Sequence, residues 1–190
     1  TLCALFAGNG GIFAQTDADT IISNYAEASY QNSAGESFGT ISQTVRFSIR
    51  AVSAVVVTPD ETESSEVITA HQKVTRKFKV CNTSNISDSY TLTQASITAP
   101  AEITALYFDI DNNGEISNPD LLINLNDTQS AAVLPGRCFN VLAEIKTNNV
   151  SVNQKISINL MARSTNRGTA NGLVEDAGTI INSVGKPVIF

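Results

Sequence analysis

Apolar residues recur at every second position over short stretches of this chain, and no sustained three-and-four spacing marks a long helix. Thr40–Arg50 alternates cleanly, with Ile41, Val45, Phe47 and Ile49 on one side. Thr20–Tyr30 alternates partially and ends in the turn cluster Asn32-Ser-Ala-Gly35. Ala54–Thr58 is a short apolar run stopped by Pro59-Asp60, and the acidic stretch Asp60–Glu66 reads as a solvated loop. Further strands are predicted at Val74–Cys81, Ser89–Gln94, Thr104–Asp109, Leu121–Leu125, Cys138–Lys146 and Lys155–Arg163. Strand-sized segments separated by turn signals predict an all-β fold, an immunoglobulin-like or jelly-roll-like β-sandwich over residues 20–190. Residues 1–19 read as an extended N-terminal arm.

One loop carries candidate chemistry. Asp109-Ile-Asp111-Asn-Asn113-Gly114-Glu115-Ile-Ser117-Asn-Pro-Asp120 follows the Ca²⁺-loop pattern D-x-[DN]-x-[DN]-G. A hard cation needs several oxygens converging from one short turn. Asp109, Asp111 and Asn113 supply side-chain oxygens at the first, third and fifth positions, Glu115 a backbone carbonyl, and Asp120 closes where a Glu is usual. The flanks read as strands rather than EF-hand helices, so an ion here would stiffen a β-loop. The same residues also suit an acidic Asn-Gly turn that binds nothing.

Composition narrows the partners. Only 16% of residues are charged, the net charge is −6 and the pI is about 4.7. That balance lacks the basic footprint of nucleic-acid binding and disfavours anionic membrane surfaces. No apolar run has the length of a membrane span. Of three cysteines, Cys81 and Cys138 lie in separate predicted strands and suit a disulfide with Cα atoms about 4.4–6.8 Å apart, two buried free thiols being the alternative. Cys3 is left over, free or intermolecular. Zinc-like spacing is absent, since His71 is the sole histidine and reads as part of an exposed connection. No hydrolase, metalloprotease, P-loop or dinucleotide motif is present, and aromatics are only 6% with no Trp, so an enzyme is not expected. The sequons at Asn82, Asn85, Asn126 and Asn149 permit N-glycosylation if the source performs it.

Two longer-range patterns stand out. Asp19-Thr-Ile-Ile-Ser-Asn-Tyr is echoed by Ala177-Gly-Thr-Ile-Ile-Asn-Ser-Val, as tandem repeats or two similar edge strands would produce. Val55-Val-Val-Thr-Pro-Asp60, Lys77-Phe-Lys-Val-Cys-Asn-Thr-Ser-Asn85, Asp88-Ser-Tyr-Thr-Leu92, the Asp109–Asp120 loop and Leu134-Pro-Gly136 follow in order. Together they resemble the conserved-repeat domains of bacterial and archaeal surface proteins. Those domains carry a "V-x-N-T-G-N … D-x-Y-x-L" core, an Asp/Asn/Gly loop and an "L-x-P-G" turn on an immunoglobulin-like sandwich. The resemblance spans roughly residues 20–190; Cys81, Cys138 and Ser84 (where Gly is usual) depart from it. It implies a secreted, cell-surface protein. The separate arm is similar in kind to those of TasA-like biofilm fibre subunits, with which no sequence motif is shared.

The arm is apolar and uncharged over residues 1–15, as the tail of a secretory signal ending at Ala14 would be. Alternatively it packs in its own core, or adds as a strand to a neighbour's open sheet. In the last case Leu2, Leu5, Phe6, Ile12 and Phe13 are the expected polymerisation residues, and head-to-tail strand exchange generates an open filament. The leading expectation is therefore a secreted filament or pilus subunit, a homopolymer of identical copies. The rival is a Ca²⁺-stabilised adhesion module binding a surface protein or glycan, and a secreted hydrolase ranks third.

Overall fold

The computed structural model describes residues 16–166 and 174–186, which form strands, turns and no helix. The chain divides into two compact units at Ile49/Arg50. The expected single sandwich from residue 20 is thus corrected: among the described residues, the strands between 20 and 49 pair only with one another. Alternation reports that a strand has two unlike faces, not which sheet it joins.

The first unit is a two-stranded ribbon. β1 (Ile21–Asn24) pairs antiparallel with β4 (Val45–Ser48), and β2 (Glu27–Gln31) with β3 (Ser37–Ile41). Between the two pairs Ser42 bonds Ala26 twice, its backbone N–H donating to the Ala26 carbonyl and its Oγ accepting the Ala26 N–H, both at 2.8 Å. At the tip, Asn32 Oδ1 accepts the N–H groups of Ala34 and Glu36, and Gly35 takes φ 81°, a left-handed turn geometry that suits glycine.

The second unit is a sandwich of two sheets. One has the order β10 (Leu121–Leu122), β9 (Glu102–Asp109), β11 (Cys138–Thr147), β7 (Gln72–Asn82), β5 (Val55–Thr58). The other runs β6 (Glu66–Ile68), β13 (Glu175–Val184), β12 (Lys155–Ser164), β8 (Tyr90–Ile97). With β5 as strand A, this is the ABED/GFC order of a constant-type immunoglobulin sandwich, extended by β10. The first strand switches sheets. β5 pairs antiparallel with β7, then the chain passes Pro59, bridges Asp60 to Thr179, and continues as β6 parallel to β13. Gly178 makes the crossing possible, because a Cβ there would lie 2.8 Å from both the Pro59 carbonyl oxygen and Val57 Cγ1.

Inward positions alternate as a two-faced sheet requires: Phe78 and Val80 on β7; Val141, Ala143 and Ile145 on β11; Ile156, Ile158, Leu160 and Ala162 on β12. Two bulges keep apolar residues inward where the spacing breaks. One lies in β8, between Leu92 and Gln94, so that Tyr90 and Leu92 are followed inward by Ala95 and Ile97. The other sits in β9, between Ile103 and Ala105, so that Ile103 is followed by Leu106 and Phe108. An unbulged register would turn half of each set to solvent. β6 falls at the end of the stretch read as an acidic loop, β13 carried no strand prediction, and the predicted Leu121–Leu125 strand shortens to two residues. The echo occupies dissimilar settings, with Ile21 66% exposed in the ribbon and the matching Ile180 buried in β13.

Candidate metal centre

The acidic loop leaves the end of β9 and returns as β10, so both ends are fixed in one sheet. Asn112 and Gly114 take positive φ, 57° and 78°, and the chain curls tightly enough to gather its acids. One carboxylate oxygen from each of Asp109, Asp111 and Asp120 lies within 4.8 Å of the other two. Asp120 Oδ1 accepts the Ile110 N–H and its Oδ2 the Ser117 N–H, both at 2.9 Å, closing the loop. Asp111 Oδ2 accepts from Asn113 Nδ2 at 2.8 Å and from Ser117 Oγ at 3.2 Å. Asn113 Oδ1 accepts the Glu115 N–H at 2.7 Å. Of the five residues singled out by sequence, three carboxylates converge, Asn113 joins them through hydrogen bonds, and Glu115 enters by its backbone.

Asp109 differs from the other two acids in being buried. Its Oδ2 accepts from Gly114 N at 3.2 Å and Asn140 Nδ2 at 3.1 Å, whereas Oδ1 is buried with no hydrogen-bond partner. Asn140 escaped the sequence reading; it stands opposite Asp109 in the β11–β9 register and also donates to Asn112 Oδ1 at 3.2 Å. Only the strand pairing reveals it. Lys77 Nζ is 3.9 Å from where a Cβ on Gly114 would sit.

Cys81 and Cys138 face each other in the β7–β11 register and are bonded. Their Cα atoms are 4.0 Å apart, closer than the expected window. They form a non-hydrogen-bonded pair, the narrower kind in an antiparallel ladder: the adjoining bond runs from Asn82 N to the Arg137 carbonyl. Residues 1–15, including Leu2, Cys3, Leu5, Phe6, Ile12 and Phe13, lie outside the described residues.

The Asn82–Asp88 stretch, which carries part of the resemblance to surface repeats, forms a buried polar knot. Asn82 Nδ2 donates to the carbonyls of Ile86 (2.8 Å) and Val133 (2.7 Å), while its Oδ1 accepts from Ser84 N at 2.8 Å and from Ser84 Oγ. Asn85 accepts the Val52 N–H at 2.7 Å and donates to the Arg50 carbonyl at 2.9 Å. Asp88 accepts from Ser89 N at 2.7 Å and from Ser164 Oγ. Buried polar groups need such partners, and these tie the β7–β8 turn to three distant segments. Asn82 and Asn85 are therefore out of reach of a glycan; of the four sequons, Asn126 and Asn149 are exposed.

No protein-family model and no curated protein matches the chain. Among solved structures, it is similar to the N-terminal domain of PorA at 14% identity and a TM-score of 0.37, covering 70% of this chain and 99% of that one. It is also similar to AvmM, which catalyses macrocyclization in alchivemycin A biosynthesis, at 6% identity and a TM-score of 0.34, covering 76% and 94%. Likenesses this low identify no relative. No helix among the described residues is long and apolar enough to cross a membrane.

Proposed function

We propose that this chain is a secreted, non-enzymatic structural subunit, a disulfide-locked immunoglobulin-like sandwich of the surface-repeat kind that joins copies of itself through its N-terminal region. The observation that carries the reading is the ribbon. Ile21, Tyr25, Tyr30, Ile41, Val45 and Phe47 are each more than half exposed. A two-stranded ribbon is marginal in water, and one that carries this many exposed apolar side chains offers surface for association. Supporting it, a cross-strand disulfide suits an oxidising compartment outside the cytosol. In this reading the apolar residues Leu2, Leu5, Phe6, Ile12 and Phe13 of the arm add as a strand to the next copy, which makes the contact heterologous and the assembly open-ended.

The test is electron microscopy and light scattering of the purified protein with no partner added. Long fibres, lost on deletion of residues 1–15, are expected. A monomer at every concentration would overturn the reading and favour an adhesion module.

A further inference from the structure

We propose that the β9–β10 loop binds one Ca²⁺ ion through the carboxylates of Asp109, Asp111 and Asp120, independently of any assembly. Two oxygens on one Ca²⁺ at about 2.3–2.6 Å are separated by no more than about 4.6–5.2 Å. The three acids meet that limit, each presenting an oxygen within 4.8 Å of the others.

A second observation points to a cation. Asp109 is only 4% exposed, and its Oδ1 is buried without any hydrogen-bond donor. A carboxylate oxygen removed from water and left unbonded is costly, and the N–H groups of Gly114 and Asn140 satisfy Oδ2 alone. Among the described residues, none of the three acids forms an ion pair that would offset their mutual repulsion directly. A divalent ion answers both demands at once.

The remaining donors are of the right hardness. Asn113 Nδ2 lies 2.8 Å from Asp111 Oδ2 and 3.1 Å from Ser117 Oγ, so a half-turn of the amide brings its oxygen beside the acids. The Glu115 carbonyl is the further oxygen that the loop spacing offers. Uneven oxygen donors on a curled loop suit the flexible coordination of Ca²⁺ better than the strict octahedron of Mg²⁺. The ion would pin the curl between β9 and β10, with Asn140 bracing it from β11.

Calorimetric titration of the chelator-treated full chain with CaCl₂ tests this, paired with thermal melting. One ion per chain is expected, with affinity in or above the 10⁻⁴–10⁻³ M range typical of extracellular modules, and a melting temperature that rises with Ca²⁺ and falls again with chelator. Asp111→Asn alters an exposed side chain and should weaken binding at least tenfold, while Glu115→Gln, which keeps the backbone carbonyl, should not. No heat and no melting shift at about 10 mM Ca²⁺, ten times the weak end of that range, would overturn the proposal and leave the nearby Lys77 as the loop's counter-charge. An equal rise with Mg²⁺, or an unchanged response in Asp111→Asn, would overturn it as well.

Discussion

The Tyr90 hydroxyl donates to the Ala54 carbonyl at 3.1 Å, tying the first residue of β8 to the residue that precedes β5. The ring is fully buried, and it packs 6.1 Å from that of Phe139. Burial, and secondarily the Asp88 charge, push the phenol well above its ordinary pKa of about 10, while Ser84 acts weakly the other way. A raised folded pKa means the native state holds this proton more tightly. Its contribution is complete below the unfolded value of about 10 and is lost as the pH climbs above it. Urea midpoints measured from neutral to strongly alkaline pH should fall steeply past that value. Tyr90→Phe should cost about 1 kcal/mol at neutral pH and flatten the alkaline decline.

Replacing both Cys81 and Cys138 with Ser opens a loop of 57 residues. Loop-closure entropy sets the loss near 4 kcal/mol, a large part of the 5–15 kcal/mol typical of a domain. Denaturant titration of the double variant should show it. Mass spectrometry of the unreduced protein should leave both thiols unalkylated.

Asn82→Ala removes two donors and an acceptor from a fully enclosed position, leaving the Ile86 and Val133 carbonyls with only the Ser84 hydroxyl and the Asp88 N–H, respectively, and depriving Ser84 N of its Asn82 acceptor. A loss on the order of 3 kcal/mol is expected in chemical denaturation. Asn82→Asp should be no milder, because it sets a negative charge against those carbonyl oxygens.

In the ribbon, Tyr30 and Phe38 stack with ring centroids 5.3 Å apart, directly opposite in register. Changing both to Ser should leave the sandwich's melting temperature within a degree or two, since both side chains are exposed. Self-association measured by light scattering should drop sharply.

If the protein is made in a glycosylating host, sugars should appear on Asn126 and Asn149 only. Peptide mapping that finds glycan on Asn82 or Asn85 would contradict the knot, because both are buried in it.

The sandwich was legible wherever inward positions are large and apolar, as on β12 with Ile156, Ile158 and Leu160. β13 escaped because its inward set includes Gly178 and Asn182. Gly178 is kept small by the backbone at Pro59, and Asn182 accepts from Arg76 Nε at 2.8 Å. Neither reads as a core residue. The ribbon misled in the opposite sense, since Phe47 and Ile41 alternate like core positions yet are exposed. In the acidic loop, spacing alone located Asp109, Asp111 and Asp120, because short-range curl gathers them. Asn140 needed the β11–β9 register, which is a long-range pairing no local pattern encodes.

The sheet switch at Pro59 bears on how the sandwich would respond to being pulled. β6 and β13 run parallel, through the pairs Asn182–Glu66, Ser183–Val67 and Val184–Ile68, and Glu61 and Ser65 donate further backbone bonds to β13. Tension applied through the chain on either side of the sandwich drags these two strands past each other in opposite directions. All the bridging bonds are then strained together in shear, instead of parting one after another as in a peeled hairpin. Should that patch yield, the Cys81–Cys138 link still keeps the segment between them from paying out. The fold is thus arranged to hold its length under stretch.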